Sequence, residues 1–141
     1  MYRVNIQERT MSRVEQIRLS DAQLLERYDL QEWIDKNPDC LGEPLLVIAK
    51  EFSAWGDQSD RRLDLLMLDK NGRLVIVENK RDDSGREVVA QALMYASFCK
   101  TMTPSMIIEE LKRYRRSKGE QIEDVGAEGV ISDFLGVDDF S

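Results

Sequence analysis

The chain of 141 residues contains no histidine, and this absence limits its chemistry more than any other feature of its composition. Metal sites built on imidazole are excluded, as are catalytic triads that use histidine as the general base. Any acid–base or metal chemistry must therefore be carried by carboxylates and lysines.

Cysteines and long apolar runs are also scarce. The two cysteines, Cys40 and Cys99, lie far apart in the sequence, and we expect both to be buried, reduced thiols. No apolar run approaches the roughly 18 residues that a membrane span requires. The first residues lack the apolar region of a signal peptide. We therefore expect a cytoplasmic protein without a membrane partner, of a size that fits one domain.

Basic residues are in deficit overall, with a net charge of −7, which at first argues against a nucleic-acid partner. The excess is confined to residues 120–141, which contain seven acidic and no basic residues. The preceding 119 residues are neutral, with 20 acidic and 20 basic residues. A basic cluster at residues 112–118 is interpreted as a solvated helix face.

Hydrophobic periodicity and turn residues predict an α/β protein. The predicted elements are an extended arm or edge strand at 1–19, a helix at 20–37, a strand at Leu45–Phe52, hairpin strands at Arg62–Leu68 and Arg73–Lys80, and helices at 85–101, Pro104–Lys118 and 127–135. This order favours a mixed sheet flanked by helices.

The helix predicted at 85–101 has the clearest beginning. Ser84 and Glu87 have the spacing of a capping box, in which each side chain satisfies a backbone N–H group at the helix start. Its predicted buried stripe consists of Val88, Val89, Ala92, Leu93, Ala96 and Cys99.

The predicted hairpin carries the charged residues with the most informative spacing. Strand side chains alternate between faces, so Glu78 and Lys80 share one face of the second strand. Asp64, on the first strand, can lie opposite Glu78 only if the loop has three residues, Lys70-Asn71-Gly72. Such loops commonly end in a left-handed residue, for which Gly72 is suited, whereas a two-residue Asn-Gly loop would put the carboxylates on opposite faces.

In the three-residue register, the Cβ atoms of Asp64 and Glu78 lie about 4.5–5.5 Å apart. Two carboxylates at this separation repel each other unless a proton or cation lies between them. With the backbone carbonyl of Asn79 as a third ligand, the set suits Mg²⁺ or Mn²⁺. Lys80 would lie beside the ion, where it could orient or deprotonate a water, or neutralise an oxyanion. The alternative is that these charges merely solvate strand ends.

The spacing of Asp64, thirteen intervening residues and Glu78-Asn79-Lys80 resembles the signature of the PD-(D/E)XK nuclease superfamily. The surrounding residues extend the likeness over roughly residues 24–100: Glu26 to Ile34, Asn37-Pro38, Leu41-Gly42, Glu51-Phe52, Arg62 to Leu66, Gln91-Ala92 and Tyr95-Ala96. The chain looks similar to the nuclease domain of archaeal mismatch and branched-DNA endonucleases. The resemblance implies a restriction-endonuclease-like fold.

The resemblance also implies roles for individual residues. Asp64 and Glu78 would be metal ligands, and Lys80 the catalytic lysine. Glu26 would be a further acidic member of the site, and Gln91 would hold water or a phosphate near the ion. Asn79 occupies a position that is usually apolar in related motifs.

Contacts with nucleic acid are assigned on the same interpretation to Tyr95, Arg62 and Arg81. Tyr95 lies one helical turn from Gln91 and could join the same surface. The two tryptophans, Trp33 and Trp55, are interpreted as core or rim aromatics rather than as platforms for base stacking.

Several of these assignments have structural alternatives. Glu26 is equally well explained as a helix N-terminal acid favoured by the helix dipole, and Glu32 on the same helix is a competing candidate. Glu51 is either a site carboxylate or an ordinary strand-end charge. Gln91 could simply solvate the edge of its helix.

On this interpretation residues 1–19 form an arm, 20–119 a nuclease-like domain, and 120–141 an acidic segment that would begin a further C-terminal region. The leading functional hypothesis is a Mg²⁺- or Mn²⁺-dependent DNA endonuclease acting through Asp64 and its motif partners. The alternatives are a nucleic-acid-binding module that does not cleave without a partner, and a protein-interaction domain that docks through its acidic tail. A homodimer is compatible with a domain that covers few base pairs alone.

Overall fold

A computed structural model of the protein describes residues 1–53, 62–80 and 85–140, without the side chains of residues 85–87. Within these residues the chain is a mixed α/β protein with four α-helices and two small antiparallel sheets. Trp55, Arg81 and Ser84, with the side chain of Glu87, lie outside the described residues. None of the described helices has the length and apolar content needed to cross a lipid bilayer.

The larger sheet has three strands in the order β3-β4-β5: β3 at Leu45–Phe52, β4 at Leu63–Asp69 and β5 at Leu74–Val77. The bounds of β3 are those predicted, and β4 is displaced by one residue. All described pairings are antiparallel rather than mixed. No parallel strand is added within the described residues, because the chain beyond residue 84 continues as helices instead of returning to the sheet.

The β4–β5 hairpin has the predicted register. Leu65 lies opposite Val77, and the backbone N–H group of Asp69 donates to the carbonyl of Arg73 at 2.9 Å. The three-residue loop ends at Gly72, whose φ of +76° lies in the left-handed region that favours glycine. This register places positions 64 and 78 opposite each other, on the same face of the hairpin.

The helices follow the predicted order with shifted ends. A π-helical turn at Glu26–Leu30 continues into α1 at Gln31–Lys36, and a 3₁₀ turn follows at Pro38–Leu41. Cys40 lies in this 3₁₀ turn and is exposed, so the expectation that it is buried was wrong. The remaining helices are α2 at Gly85–Cys99, α3 at Pro104–Ser117 and α4 at Asp124–Leu135.

The first helical segment begins six residues later than predicted. Leu25, the residue before the π-helical turn, has an extended backbone. Its N–H group donates to the carboxylate of Asp29 at 2.8 Å, so a side chain within the turn caps the start of the turn. Gln23 has a positive φ of 58°, which a continuous right-handed helix does not allow. Short polar caps of this kind compete with helix extension.

Two apolar clusters cover the two faces of the sheet. Side chains of β4 point alternately to the two faces, so this strand contributes to both clusters. Each of the four described helices contributes at least one buried residue to one of the two clusters. One contains Leu66, Leu68, Tyr95, Cys99, Leu111 and Ile131, from β4 and helices α2, α3 and α4. The other contains Ile34, Val47, Leu65 and Met67, from α1 and the sheet. Burial of each such side chain contributes about 1.5–3 kcal/mol.

The buried face of α2 differs from the predicted stripe. Cys99 is buried as predicted, but Tyr95 is buried beside it with Phe98 packed against the same cluster, whereas Val89, Leu93 and Ala96 are exposed. The helix is rotated because the larger side chains of Tyr95 and Phe98 bury more apolar area than valine or alanine would.

Residues 1–18 are exposed throughout. They form a hairpin of β1 at Tyr2–Asn5 and β2 at Thr10–Arg13, which pair with each other. The extended conformation agrees with the predicted arm, but these strands do not add an edge to the larger sheet in the described residues.

A buried ionic network joins α1 to α3 and β3. The carboxylate of Asp35 has no exposed surface; it accepts a hydrogen bond from the Tyr114 hydroxyl at 2.6 Å and from Lys118, with the Lys50 ammonium at 3.5 Å. Burial alone would raise the pKa of Asp35, but Lys118, Tyr114 and Lys50 outweigh it and hold that pKa below its usual value. Sequence reasoning gave no indication of this network.

The network generates a pH-dependent prediction for Asp35→Asn. Because the pKa of Asp35 is lowered by folding, its stabilising contribution is present above about pH 4 and is lost as the pH falls further. We expect the substitution to reduce the free energy of unfolding by about 1–3 kcal/mol at pH 7, with a smaller loss at pH 3. Urea unfolding at both pH values measures this, and an equal loss at both would contradict it.

Candidate active site

Four segments bring charged side chains to one end of the sheet: the start of β4, the residues after β5, the π-helical turn and the end of β3. The hairpin register places Glu78, the residue after Val77, opposite Asp64. The backbone N–H group of Asn79 donates to Oδ2 of Asp64 at 2.6 Å, which fixes the chain beyond β5 against the start of β4.

Glu78 and Lys80 form an ion pair in which Nζ of Lys80 lies 3.1 Å from Oε1 of Glu78. The Glu78 side chain is only 5% exposed, and its Oε2 atom finds no hydrogen-bond donor among the described residues. Burial alone would lower the pKa of Lys80, but the hydrogen bond and charge of Glu78, with the charges of Glu26 and Asp64, raise it. In this arrangement Lys80 is an ammonium group at neutral pH.

Asp64 is a half-buried carboxylate. Burial raises the pKa of Asp64 above its usual value; the hydrogen bond from Asn79 opposes this, and the negative charge of Glu78 adds to it. The influence of Glu78 on Asp64 shows that the two predicted ligands are electrostatically coupled.

The π-helical turn places Glu26 within electrostatic reach of Lys80. Turns of this type are frequent at functional sites. In the following helix, Gln31 is buried and its amide Nε2 donates to the carbonyl of Asp64 at 3.4 Å. Sequence reasoning missed Gln31, although it lies one turn from the apolar Ile34 and so on the same helix face. The competing candidate Glu32 instead accepts a hydrogen bond from Lys50, beside the Asp35 network.

Glu51 lies at the end of β3 and is engaged by two arginines. Arg27 donates through Nε to Oε1 at 2.7 Å and through Nη2 to Oε2, and Nη1 of Arg62 lies 3.5 Å from Oε2. Burial alone would raise the pKa of Glu51, but Arg27 and Arg62 hold it below its usual value. Glu51 is thus an ion-pair acceptor, which neither sequence interpretation had specified.

Gln91 lies on the buried face of α2, the helix that packs against β5. Its Oε1 atom is buried and finds no donor among the described residues. Tyr95 shares this face but is only 1% exposed and belongs to the core. The structure therefore places Tyr95 in the core rather than on the surface expected for a nucleic-acid contact, because the tyrosine ring is more favourably buried against the sheet.

The donor set fits a hard cation in part. No three acidic or cysteine side chains converge on one point in the part of the chain that the structure describes. Two buried acceptor atoms, Oε2 of Glu78 and Oε1 of Gln91, nevertheless lack donors within those residues. Buried acceptors are normally satisfied by a donor, a water or a metal ion. Carboxylate and amide oxygens are the ligands that Mg²⁺ and Mn²⁺ prefer.

A shallow depression of about 310 Å³ opens on the surface of the π-helical turn, lined by Leu25, Glu26, Arg27 and Tyr28. Two larger cavities, of about 390 and 490 Å³, are lined by none of the residues predicted to be catalytic. Of the residues predicted to be catalytic, Glu26 lines the depression on the π-helical turn.

Comparison with known proteins found no match among protein-family models, curated proteins or solved structures. Within the chain itself, the predicted site residues form one coupled group, since the charges of Glu26, Asp64, Glu78 and Lys80 each affect the pKa of a neighbour.

The raised pKa of Asp64 predicts that this residue costs stability when ionised. A buried acid whose pKa is raised by folding destabilises the native state above its unfolded pKa of about 4. We expect Asp64→Asn to raise the free energy of unfolding by about 1 kcal/mol at pH 8, with no gain at pH 3. Denaturant unfolding of this variant, beside the exposed control Asp21→Asn, measures the effect. A gain that is equal at both pH values, or a loss at pH 8, would overturn it.

Proposed function

We propose that the protein is a metal-dependent nuclease of the PD-(D/E)XK type, which hydrolyses phosphodiester bonds in DNA. The observation that carries this proposal is the coupled arrangement of Asp64, Glu78 and Lys80, with the hairpin in the register that sets the two carboxylates opposite each other on a shared face. The antiparallel sheet, with α1 on one face and α2 on the other, is compatible with a restriction-endonuclease-like core.

Asp64 and Glu78 would hold Mg²⁺ or Mn²⁺, with the backbone carbonyl of Asn79 as a further ligand. When bound, such an ion supplies a hydroxide at neutral pH and neutralises charge on the phosphate. The residues that fit this function are already held in place, since Asn79 donates to Asp64 and Gln31 fixes the β4 backbone. Rigid support of this kind is what a catalytic site requires.

Lys80 has the properties of an electrostatic catalyst. Its pKa is raised by Glu78, so the ammonium form persists at neutral pH, and a charged lysine stabilises negative charge that develops on phosphate oxygens. The same group can orient a water through its N–H donors, whereas proton abstraction would require a lower pKa. Of the roles open to Lys80, neutralisation of the phosphorane oxyanion is therefore the one we propose.

The energetic cost of the site also favours catalysis. Asp64 and Glu78 are acidic groups withdrawn from water, and such groups destabilise a fold unless they are paired. Unfavourable groups of this kind concentrate at functional sites. A surface that only bound phosphate would gain nothing from two acceptors that repel it.

A nucleic-acid-binding module that does not cleave alone is the second candidate. The charge distribution favours it, because residues 1–119 are neutral and residues 120–141 are acidic. Affinity for nucleic acid comes largely from phosphate neutralisation by basic residues. A chain with this balance would depend on a partner for strong binding.

The proposal predicts metal-dependent cleavage that requires Lys80. Labelled duplex, single-stranded and forked DNA would be incubated with Mg²⁺, Mn²⁺ or EDTA. We expect cleavage with either metal, none with EDTA, and a loss of at least about 10²-fold in Lys80→Ala. Lys100→Ala, at an exposed lysine beyond α2, is the matched control and retains activity. Absence of cleavage by the folded wild type on every substrate would favour the binding module instead.

Metal binding is predicted independently of cleavage. A ligand present at about 100 times its dissociation constant stabilises the native state by about 2.7 kcal/mol, so Mn²⁺ should raise Tm in a saturable way. We expect the shift to disappear in Glu78→Gln and to persist in Glu43→Gln, an exposed control. Each shift is measured against the same variant in EDTA. Equal shifts in both variants would exclude Glu78 as a ligand.

A further inference from the structure

The backbone of Glu51 is unusual for a residue at the end of a strand. Its φ of +52° lies in the left-handed region, which costs a non-glycine residue about 1–3 kcal/mol. In the β3–β4 register, Lys50 lies opposite Leu65 and Phe52 opposite Leu63, so Glu51 falls opposite Asp64. A regular strand would therefore set two carboxylates side by side.

Two guanidinium groups contact the carboxylate of Glu51. Arg27 approaches Glu51 as a two-pronged fork, and Arg62 approaches the same carboxylate. Their side chains are 58% and 47% exposed. An arginine has five N–H donors, so the fork leaves three donors of Arg27 to bind another acceptor. Two guanidinium groups on one carboxylate carry a net charge of +1.

This pair lies next to the proposed catalytic group. The hydrogen bond and charge of Glu51, with a further contribution from Asp64, raise the pKa of Arg27. Arg27 also lines the open depression on the π-helical turn. The catalytic end of the sheet is otherwise dominated by acids, and its lysine is paired with Glu78. A phosphodiester strand that reaches Asp64 would therefore meet Arg27 and Arg62.

We infer that Arg27 and Arg62 bind the phosphates that flank the scissile bond, and that Glu51 is the residue that positions both of them. The inference rests on the proposed nuclease function; it adds Arg27 as a substrate contact and Glu51 as a positioning residue to the contact already expected of Arg62. Arginine suits this role because its planar donors match phosphate oxygens in pairs. Glu51 acts on the substrate through the arginines and is a positioning residue.

Binding of DNA without cleavage tests the two arginines. The affinity for a short labelled duplex would be measured in EDTA at increasing salt. The logarithm of the association constant falls linearly with the logarithm of the salt concentration, and each phosphate contact adds about 0.9 to the steepness of that fall. We expect Arg27→Gln and Arg62→Gln each to make the slope shallower by about one.

Arg73→Gln provides the matched control. Arg73 is also an exposed arginine paired with one carboxylate, that of Asp69, but it lies at the turn of the hairpin. The turn is roughly 15 Å along the strand from Asp64. The slope of this variant should equal that of the wild type. If Arg27→Gln and Arg62→Gln also bind with the wild-type slope, the contacts are excluded.

Glu51→Gln distinguishes positioning from simple charge. Removing an acid from the surface would by itself tighten binding of DNA. Loss of positioning instead lowers kcat, because misplacement of a bound phosphate by a fraction of an ångström slows the reaction. We expect kcat to fall at least about tenfold while KM does not rise. A wild-type kcat would overturn the role of Glu51, and circular dichroism verifies that the variant folds.

The outcomes separate this inference from the proposed function. Metal-dependent cleavage together with unchanged slopes in Arg27→Gln and Arg62→Gln would leave the nuclease intact and reject the contacts. Lowered slopes without any cleavage would keep the contacts and reject the nuclease. If the wild type shows no salt-dependent binding in EDTA, the contacts are rejected, and the cleavage experiment with metal decides the nuclease separately. If Glu51→Gln does not fold, the two arginine variants still decide the substrate contact.

Discussion

The register of the β4–β5 hairpin is the constraint on which the rest of the site depends. Side chains alternate along a strand, so a slip of one residue would turn Asp64 or Glu78 to the opposite face. The loop prevents this slip, because Gly72 adopts a left-handed conformation and the carboxylate of Asp69 accepts hydrogen bonds at 2.8 Å from the N–H groups of Asn71 and Arg73. Chemistry at one end of the hairpin is thus fixed by turn geometry at the other.

At the charged end of the sheet, acidic side chains are paired with neighbouring basic side chains. Lys80 offsets Glu78, and two arginines offset Glu51, while Asp64 is the carboxylate whose pKa is shifted upward. Buried charges of one sign raise the free energy of the native state unless opposite charges or hydrogen bonds accompany them. The Asp35 network is compensated more fully than Asp64. Lys118, Tyr114 and Lys50 together outweigh the effect of burial and lower the pKa of Asp35, whereas the pKa of Asp64 is raised.

Local sequence signals were sufficient for part of the fold. The strand Leu45–Phe52 and the helix from Pro104 were predicted because apolar runs, proline and turn residues act within a few positions. The π-helical turn and the rotation of α2 were not, since both depend on what the helices pack against. Likewise the motif pointed to Asp64 and Glu78, but the engagement of Glu51 depends on Arg27, which lies 24 positions away in sequence.

The exposed hairpin at the N-terminus and the buried sheet open by two different processes, local fluctuation and global unfolding. Every residue of the hairpin's two strands is exposed, and a lone two-stranded hairpin is marginal in water, so its backbone hydrogen bonds break by local fluctuation. The amides of β4, between two apolar clusters, become accessible only when the whole sheet comes apart. In hydrogen exchange, the amide hydrogens of β1 and β2 would consequently exchange at rates that do not depend on the free energy of global unfolding. The amide hydrogens of β4 would exchange at rates that report this free energy directly.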